Sequence, residues 1–202
     1  MIELNKFEFI RHKYGTIASW AIWAEEGETP KSNIGDLSVF DVAKNKVLLN
    51  TLNPNVILVG LNFAHVVEEK DAHPFHNFHN GGAHATDFKL RYGLRNTPLW
   101  GAYMTDIIKD FPERESDNVV SYLSKHKKLE ETNVDRFREE ISDLGTVNPT
   151  IVAIGGDSHS IVRRNFKDQY KILKIPHYAH FISKEDYREH VLSAATLPFI
   201  TG

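Results

Sequence analysis

The chain has 202 residues, 41% of them hydrophobic, 11% aromatic and 25% charged, the make-up of one ordinary globular domain that buries enough surface to fold without a staple. It holds no cysteine, which excludes disulfides, thiolate metal sites, iron–sulfur clusters and a cysteine nucleophile. With 24 Lys and Arg against 27 Asp and Glu, the net charge is −3, so a nucleic-acid contact would need a local basic patch.

From Lys6 to Ala24, aromatic and β-branched residues surround Lys13-Tyr14-Gly15, and the alternation of Phe7 and Phe9 with polar neighbours predicts a β-hairpin. Residues 27–36 read as a loop and 37–52 as mainly helical, stopping before Asn53-Pro54. Val56-Ile57-Leu58-Val59, ending at Gly60, has the short apolar run of a buried parallel strand. Ala102-Tyr103-Met104-Thr105, Thr150 to Ile154 before Gly155-Gly156, and Ile172 to Ile175 before Pro176 are three more. Helices are predicted over 118–127, over 134–144 with Asn133 as cap, after Gly156, and after Ser183, whose hydroxyl suits a cap. Strands alternating with helices imply an α/β domain of three α/β/α layers around a central, mainly parallel four-stranded sheet, with the N-terminal hairpin as an addition. One domain spans residues 1–202, with 1–52 as the addition and 53–202 as the core. No apolar run nears the ~20 residues of a membrane span and residues 1–5 do not open a secretory leader, so a cytoplasmic protein without membrane contact is expected.

In such sheets ligands sit beyond the C-terminal strand ends. That rule selects Gly60-Leu61-Asn62-Phe63, Thr105-Asp106, Gly155-Gly156-Asp157-Ser158 and Pro176-His177-Tyr178-Ala179-His180. These spots, in this order over roughly residues 53–182, resemble the uracil-DNA glycosylase superfamily, above all its thymine/uracil mismatch branch. Gly60-Leu61-Asn62 looks like the start of that branch's Gly-Leu-Asn-Pro-Gly motif. The segment Trp100 to Asp106 resembles the stretch that ends in a base-reading Asn, and Ile175-Pro176-His177 sits where the family has His-Pro-Ser. Phe63-Ala64 replace Pro-Gly, Asp106 replaces Asn, and Tyr178-Ala179 replace Pro-Ser.

The resemblance implies hydrolysis of the N-glycosidic bond of a base in DNA without a cofactor. Asn62 would place the attacking water and His177 would donate to the base oxygen. Leu61, Phe63, Phe75, Phe78 and Asp106 would surround the base, while Ser158, His159 and His180 would meet phosphate, with Arg163, Arg164 and Lys167 as a basic face. Each residue also has a plainer reading as a turn, cap or solvated side chain. An inactive relative that binds a nucleobase, nucleotide or nucleic acid is the first alternative.

Five histidines (His65, His73, His76, His79 and His84) crowd the segment between Asn62 and Asp87, with Asp71 among them. His73, His76 and His79 with a carboxylate would suit a transition metal, so a metal-dependent hydrolase is the second alternative. A segment this long also reads as a lid over a bound base, with Arg91 and Arg95 behind it to meet phosphate. Lys125-His126-Lys127-Lys128 reads as an exposed helix end.

Overall fold

The computed structural model describes residues 1–63, 73–113 and 115–196. Elements run α1 (Leu4–Tyr14), β1 (Ala18–Trp20), a 3-10 turn at Leu37–Phe40, α2 (Leu48–Thr51), β2 (Asn53–Asn62), α3 (Phe88–Leu94) and β3 (Ala102–Ile108). They continue with α4 (Ser116–Lys125), α5 (Lys127–Leu144), β4 (Thr150–Ile154), α6 (Gly156–Phe166), β5 (Lys171–Ile175) and α7 (Lys184–Ala195). The result is an α/β fold around one five-stranded mixed sheet in the order β1-β3-β2-β4-β5. Strands β3, β2, β4 and β5 are parallel, and β1 closes one edge antiparallel to β3.

The four predicted parallel strands are present, and β4 matches its predicted span. The N-terminal hairpin is not. Residues 4–14 form a helix because Phe7, Ile10 and Tyr14, at helical spacing, face the core. Phe9, which completed the apparent alternation, is 43% exposed. Arg11, His12 and Lys13 occupy the last turn, where cations suit the helix dipole. The sheet therefore gains one edge strand rather than a separate hairpin. The expected helix over 37–52 reduces to the 3-10 turn and the single turn of α2. Asn133 does not cap α5 but lies buried inside it. There its Oδ1 accepts the Lys109 N–H at 2.7 Å and its Nδ2 donates to the Leu129 carbonyl. Ser183 does cap α7, accepting from the Asp186 N–H.

Alternation along β2 splits the apolar core between the two sheet faces. Ile57, Val59 and Leu61 pack with residues of α1, α5 and α6. Val56 and Leu58 pack with residues of α3 and α7 on the other face. The strand order reverses between β2 and β4, since the chain goes from β2 to β3 on one side and returns to β4 on the other. This is the topological switch point, where an open α/β sheet has its natural crevice.

Candidate nucleobase site at the sheet edge

The carboxyl ends of β2 and β3 bring Gly60 and Asp106 into register. A Cβ on Gly60 would stand 2.1 Å from Asp106 Oδ1 and 3.7 Å from the Phe78 ring, so the missing side chain is the slot that holds the carboxyl. Asp106 is 5% exposed. Burial pushes its pKa up to about 7, against the pull of Lys109 and with some repulsion from Glu140. At a value near 7 the Asp106 carboxyl is about half protonated at neutrality, and the protonated form both donates and accepts.

Two further segments lie near Asp106, within reach of its field. Burial likewise pushes Asp87 up to about 6, although its Oδ2 accepts the Asn80 N–H at 2.9 Å. The Tyr178 phenol lies in the field of both Asp87 and Asp106 and is held protonated, chiefly by burial. His177 stacks on Tyr178 with ring centroids 4.5 Å apart. Its Nδ1 accepts the Ala179 N–H at 3.1 Å, which leaves the neutral-ring proton on Nε2. Burial, aided by His180, lowers its pKa to about 4, so the ring is neutral at pH 7. Behind it Gly155 turns the chain at φ 93°, and a Cβ there would meet His177 Cβ at 3.5 Å. The edge therefore offers a neutral imidazole N–H, a protonatable carboxyl and aromatic faces.

Most other predicted residues are taken up by contacts within the fold. Asn62 ends β2, and its Nδ2 donates to the carbonyls of Phe63, Phe111 and Glu113 at 3.2, 3.1 and 2.7 Å. That amide ties the end of β2 to the loop after β3. Phe63 is half-buried beside it. Leu61 faces the core on the opposite side of the sheet. Phe75 is fully buried against Phe7 and Phe40, so it is a core residue rather than a wall of the edge. Ser158 donates its hydroxyl to the Val59 carbonyl at 2.7 Å, anchoring α6 to β2 rather than facing solvent. His159 is half-buried on the first turn of α6, and His180 is exposed. Arg91, expected to meet phosphate, is buried and donates to the carbonyls of Ala24, Pro30 and Ser32. Arg95 pairs with Glu25, and Arg164 with Glu130.

The histidine segment is not a solvated lid where it is described. Residues 73–79 make two tight turns, with Phe75 and Phe78 at φ 68° and 64°, so His76 and His79 do not share a helix face. His79 is buried between Trp23 and Phe40, and its Nε2 bonds Ser19 Oγ. His73 is exposed, and among the described residues no group of three metal-ligating side chains converges. His65 and Asp71 lie outside the described residues. A hollow of about 690 Å³ lies elsewhere, lined by residues including Arg11, Gly35, Ala43 and Pro74. It has no buried carboxyl and no glycine slot, so the chemistry points to the sheet edge. No helix among the described residues is long and apolar enough to cross a membrane.

Of the residues gathered here, the sequence reading names Asp106, His177 and Phe78 as candidates and Gly60 only as a strand end, and it gives Asp87 no role at the site. The register of Gly60 against Asp106 needs the strand pairing, which no local pattern shows. Comparison of the chain with protein-family models, with curated proteins and with solved structures finds no match in any of the three.

Proposed function

We propose that this chain is a three-layer, uracil-DNA-glycosylase-like α/β/α domain that receives a nucleobase at the carboxyl ends of β2 and β3, next to the β2/β4 switch point, and hydrolyses its N-glycosidic bond. The observation that carries the reading is the protonatable Asp106 carboxyl seated in the Gly60 slot beside the Phe78 ring. A planar base with adjacent N–H and C=O groups is the complement of such a carboxyl, which accepts from one and donates to the other. The ring of Phe78 supplies a face for it.

Base loss passes through an oxocarbenium-like state with negative charge gathering on the departing base. His177 Nε2–H is the donor for that charge, and a neutral imidazole donates without needing prior protonation. Asn62 has its amide nitrogen tied to three carbonyls, so a water-placing role would run through its Oδ1. DNA is the partner in this reading, with the target base turned out of the stack, and a cytoplasmic location accompanies it.

Base release from single- and double-stranded oligonucleotides carrying uracil, mismatched thymine, hypoxanthine or xanthine tests the proposal. Abasic product that disappears in His177→Ala, with changed base preference in Asp106→Asn, is the expected result. No product from any substrate at high enzyme would defeat the hydrolytic reading. The tie of Asn62 to the loop carbonyls, which accounts for that residue without chemistry, favours as second reading a protein that only binds the base. Saturable binding without release would mark it.

A further inference from the structure

Beyond the base site lies a second arrangement that the proposed chemistry does not use. Phe111, at the end of the loop that Asn62 holds, stacks on Tyr122 of α4 with centroids 4.4 Å apart and planes 17° off parallel. Tyr122 in turn stacks on His126 at 3.9 Å and 12°. The three rings form a ladder that leaves the sheet edge at Phe111 and ends on an exposed imidazole. His126 Nδ1 bonds the Tyr122 carbonyl at 2.9 Å, which fixes the last ring in the stack. Tyr122 is 38% exposed although it is large and aromatic. Around the end of the ladder stand Lys125, Lys127 and Lys128, all exposed. Among the described residues none of the three lysines is in an ion pair, and the nearby Glu130 is already held by Arg164. A net-acidic chain thus concentrates three exposed cations in four residues, none in a close ion pair although Lys127 lies in the field of Glu130, beside a stack of flat rings. Stacking surfaces with cations alongside are how proteins hold single strands without reading sequence.

We infer that the Phe111–Tyr122–His126 ladder and Lys125, Lys127 and Lys128 form a track for single-stranded nucleic acid leading away from the sheet edge. A base stacks on the open face of His126, continuing the ladder, and the lysines meet the phosphates of that strand. The inference rests on the proposed base site for its biological sense, since the track starts where Asn62 holds the Phe111 loop. Its physical content does not depend on hydrolysis.

The test is fluorescence anisotropy with a labelled 15-residue oligo-dT, over a series of salt concentrations. Tyr122→Leu with His126→Ala keeps an apolar contact on Phe111 and removes the flat outer rings; affinity is expected to fall about tenfold. Replacing Lys125, Lys127 and Lys128 by Gln is expected to flatten the dependence of log Kd on log salt by about 2, at ~0.7 per phosphate. Lys46→Gln, an exposed lysine before α2 at the opposite end of β2, is the control measured beside them and should leave binding of oligo-dT within about twofold. Wild-type affinity that both track variants leave unchanged would overturn the inference, as would absence of oligo-dT binding at low salt or a preference for duplex. Loss of oligo-dT binding in the track variants, with Asp106→Ala and His177→Ala silent in base release, would keep the track and remove the base site. Circular dichroism and thermal melting of each variant show whether the fold is intact.

Discussion

Replacing Gly60 by Ala is the most informative single change at the sheet edge. The new methyl would stand 2.1 Å from Asp106 Oδ1 and 3.3 Å from its Cγ, whereas carbon–oxygen contacts lie at ~3.3 Å or more. The carboxyl must therefore move by about 1 Å, and Phe78, 3.7 Å from the same methyl, closes one way out. Overfilling a packed site of this kind costs about 1–3 kcal/mol. In a chain of this size that corresponds to roughly 2–12 °C in Tm. Because the clash is with a side chain and not with backbone, removing that side chain should relieve it. Urea unfolding of wild type, Gly60→Ala, Asp106→Ala and the double variant forms a complete cycle. The double variant should be at least 1 kcal/mol more stable than the sum of the single effects implies, a coupling expected only for groups in contact. Single effects that add within ~0.5 kcal/mol would refute the slot and with it the geometry of the site.

Three further outcomes are expected. Lys109→Met should destabilise by about 3 kcal/mol, because Glu140, 1% exposed and paired with Lys109 at 2.6 Å, would be left as a buried unpaired charge; Lys109→Met with Glu140→Leu should be milder, and equal loss in both would contradict this. Ser158→Ala should cost about 1 kcal/mol through its lost bond to Val59 and leave nucleic-acid affinity unchanged; a marked fall in salt-dependent binding would return Ser158 to the phosphate role. Asp106→Asn tests the raised pKa. Burial lifts the folded value to about 7, so the native state keeps a proton that the unfolded chain loses above ~4. Wild-type stability from this group is therefore lost as pH rises from about 4 to about 7, at no more than ~1.4 kcal/mol per pH unit. His79 and His177, depressed to about 3 and about 4, oppose that trend below ~6.5 because the unfolded chain takes up their protons first. The stability of Asp106→Asn relative to wild type should accordingly increase across the window, and a pH-independent difference would contradict the assignment.

The parallel strands were legible in the sequence because burial on both faces demands unbroken apolar runs, as in Ile151-Val152-Ala153-Ile154 before its glycines. The cap of α7 was legible because Ser183 and the acids of the first turn act locally. Helix α1 was not, since the two-residue spacing of Phe7 and Phe9 imitates a strand and only burial tells Phe7 from Phe9. The same limit applies to the site. Phe75 and Phe78 share residue type and backbone handedness, yet one fills the core and the other faces Gly60. Which does which depends on how residues 73–79 turn against Ser19 and Trp23, whose bonds to the Phe75 and Phe78 carbonyls join positions more than fifty residues apart. Asp106 and His177 were named from the rule that ligands sit beyond strand ends, yet β3 runs on to Ile108, so Asp106 lies inside its strand, a continuation that depends on pairing with β2.

The proposed nucleobase site lies at the carboxyl ends of β2 and β3, with His177 and Tyr178 after β5 beside it. The direct measurement is a titration of the ¹⁵N-labelled chain with free uracil, hypoxanthine and xanthine, followed by backbone amide shifts. Saturable shifts at Gly60, Asp106, Gly155 and Ala179 with at least one base, abolished in Asp106→Ala, are the expected result. Shifts confined to Gly35 and Ala43 at the hollow beside α1, or no shift with any base, would contradict it.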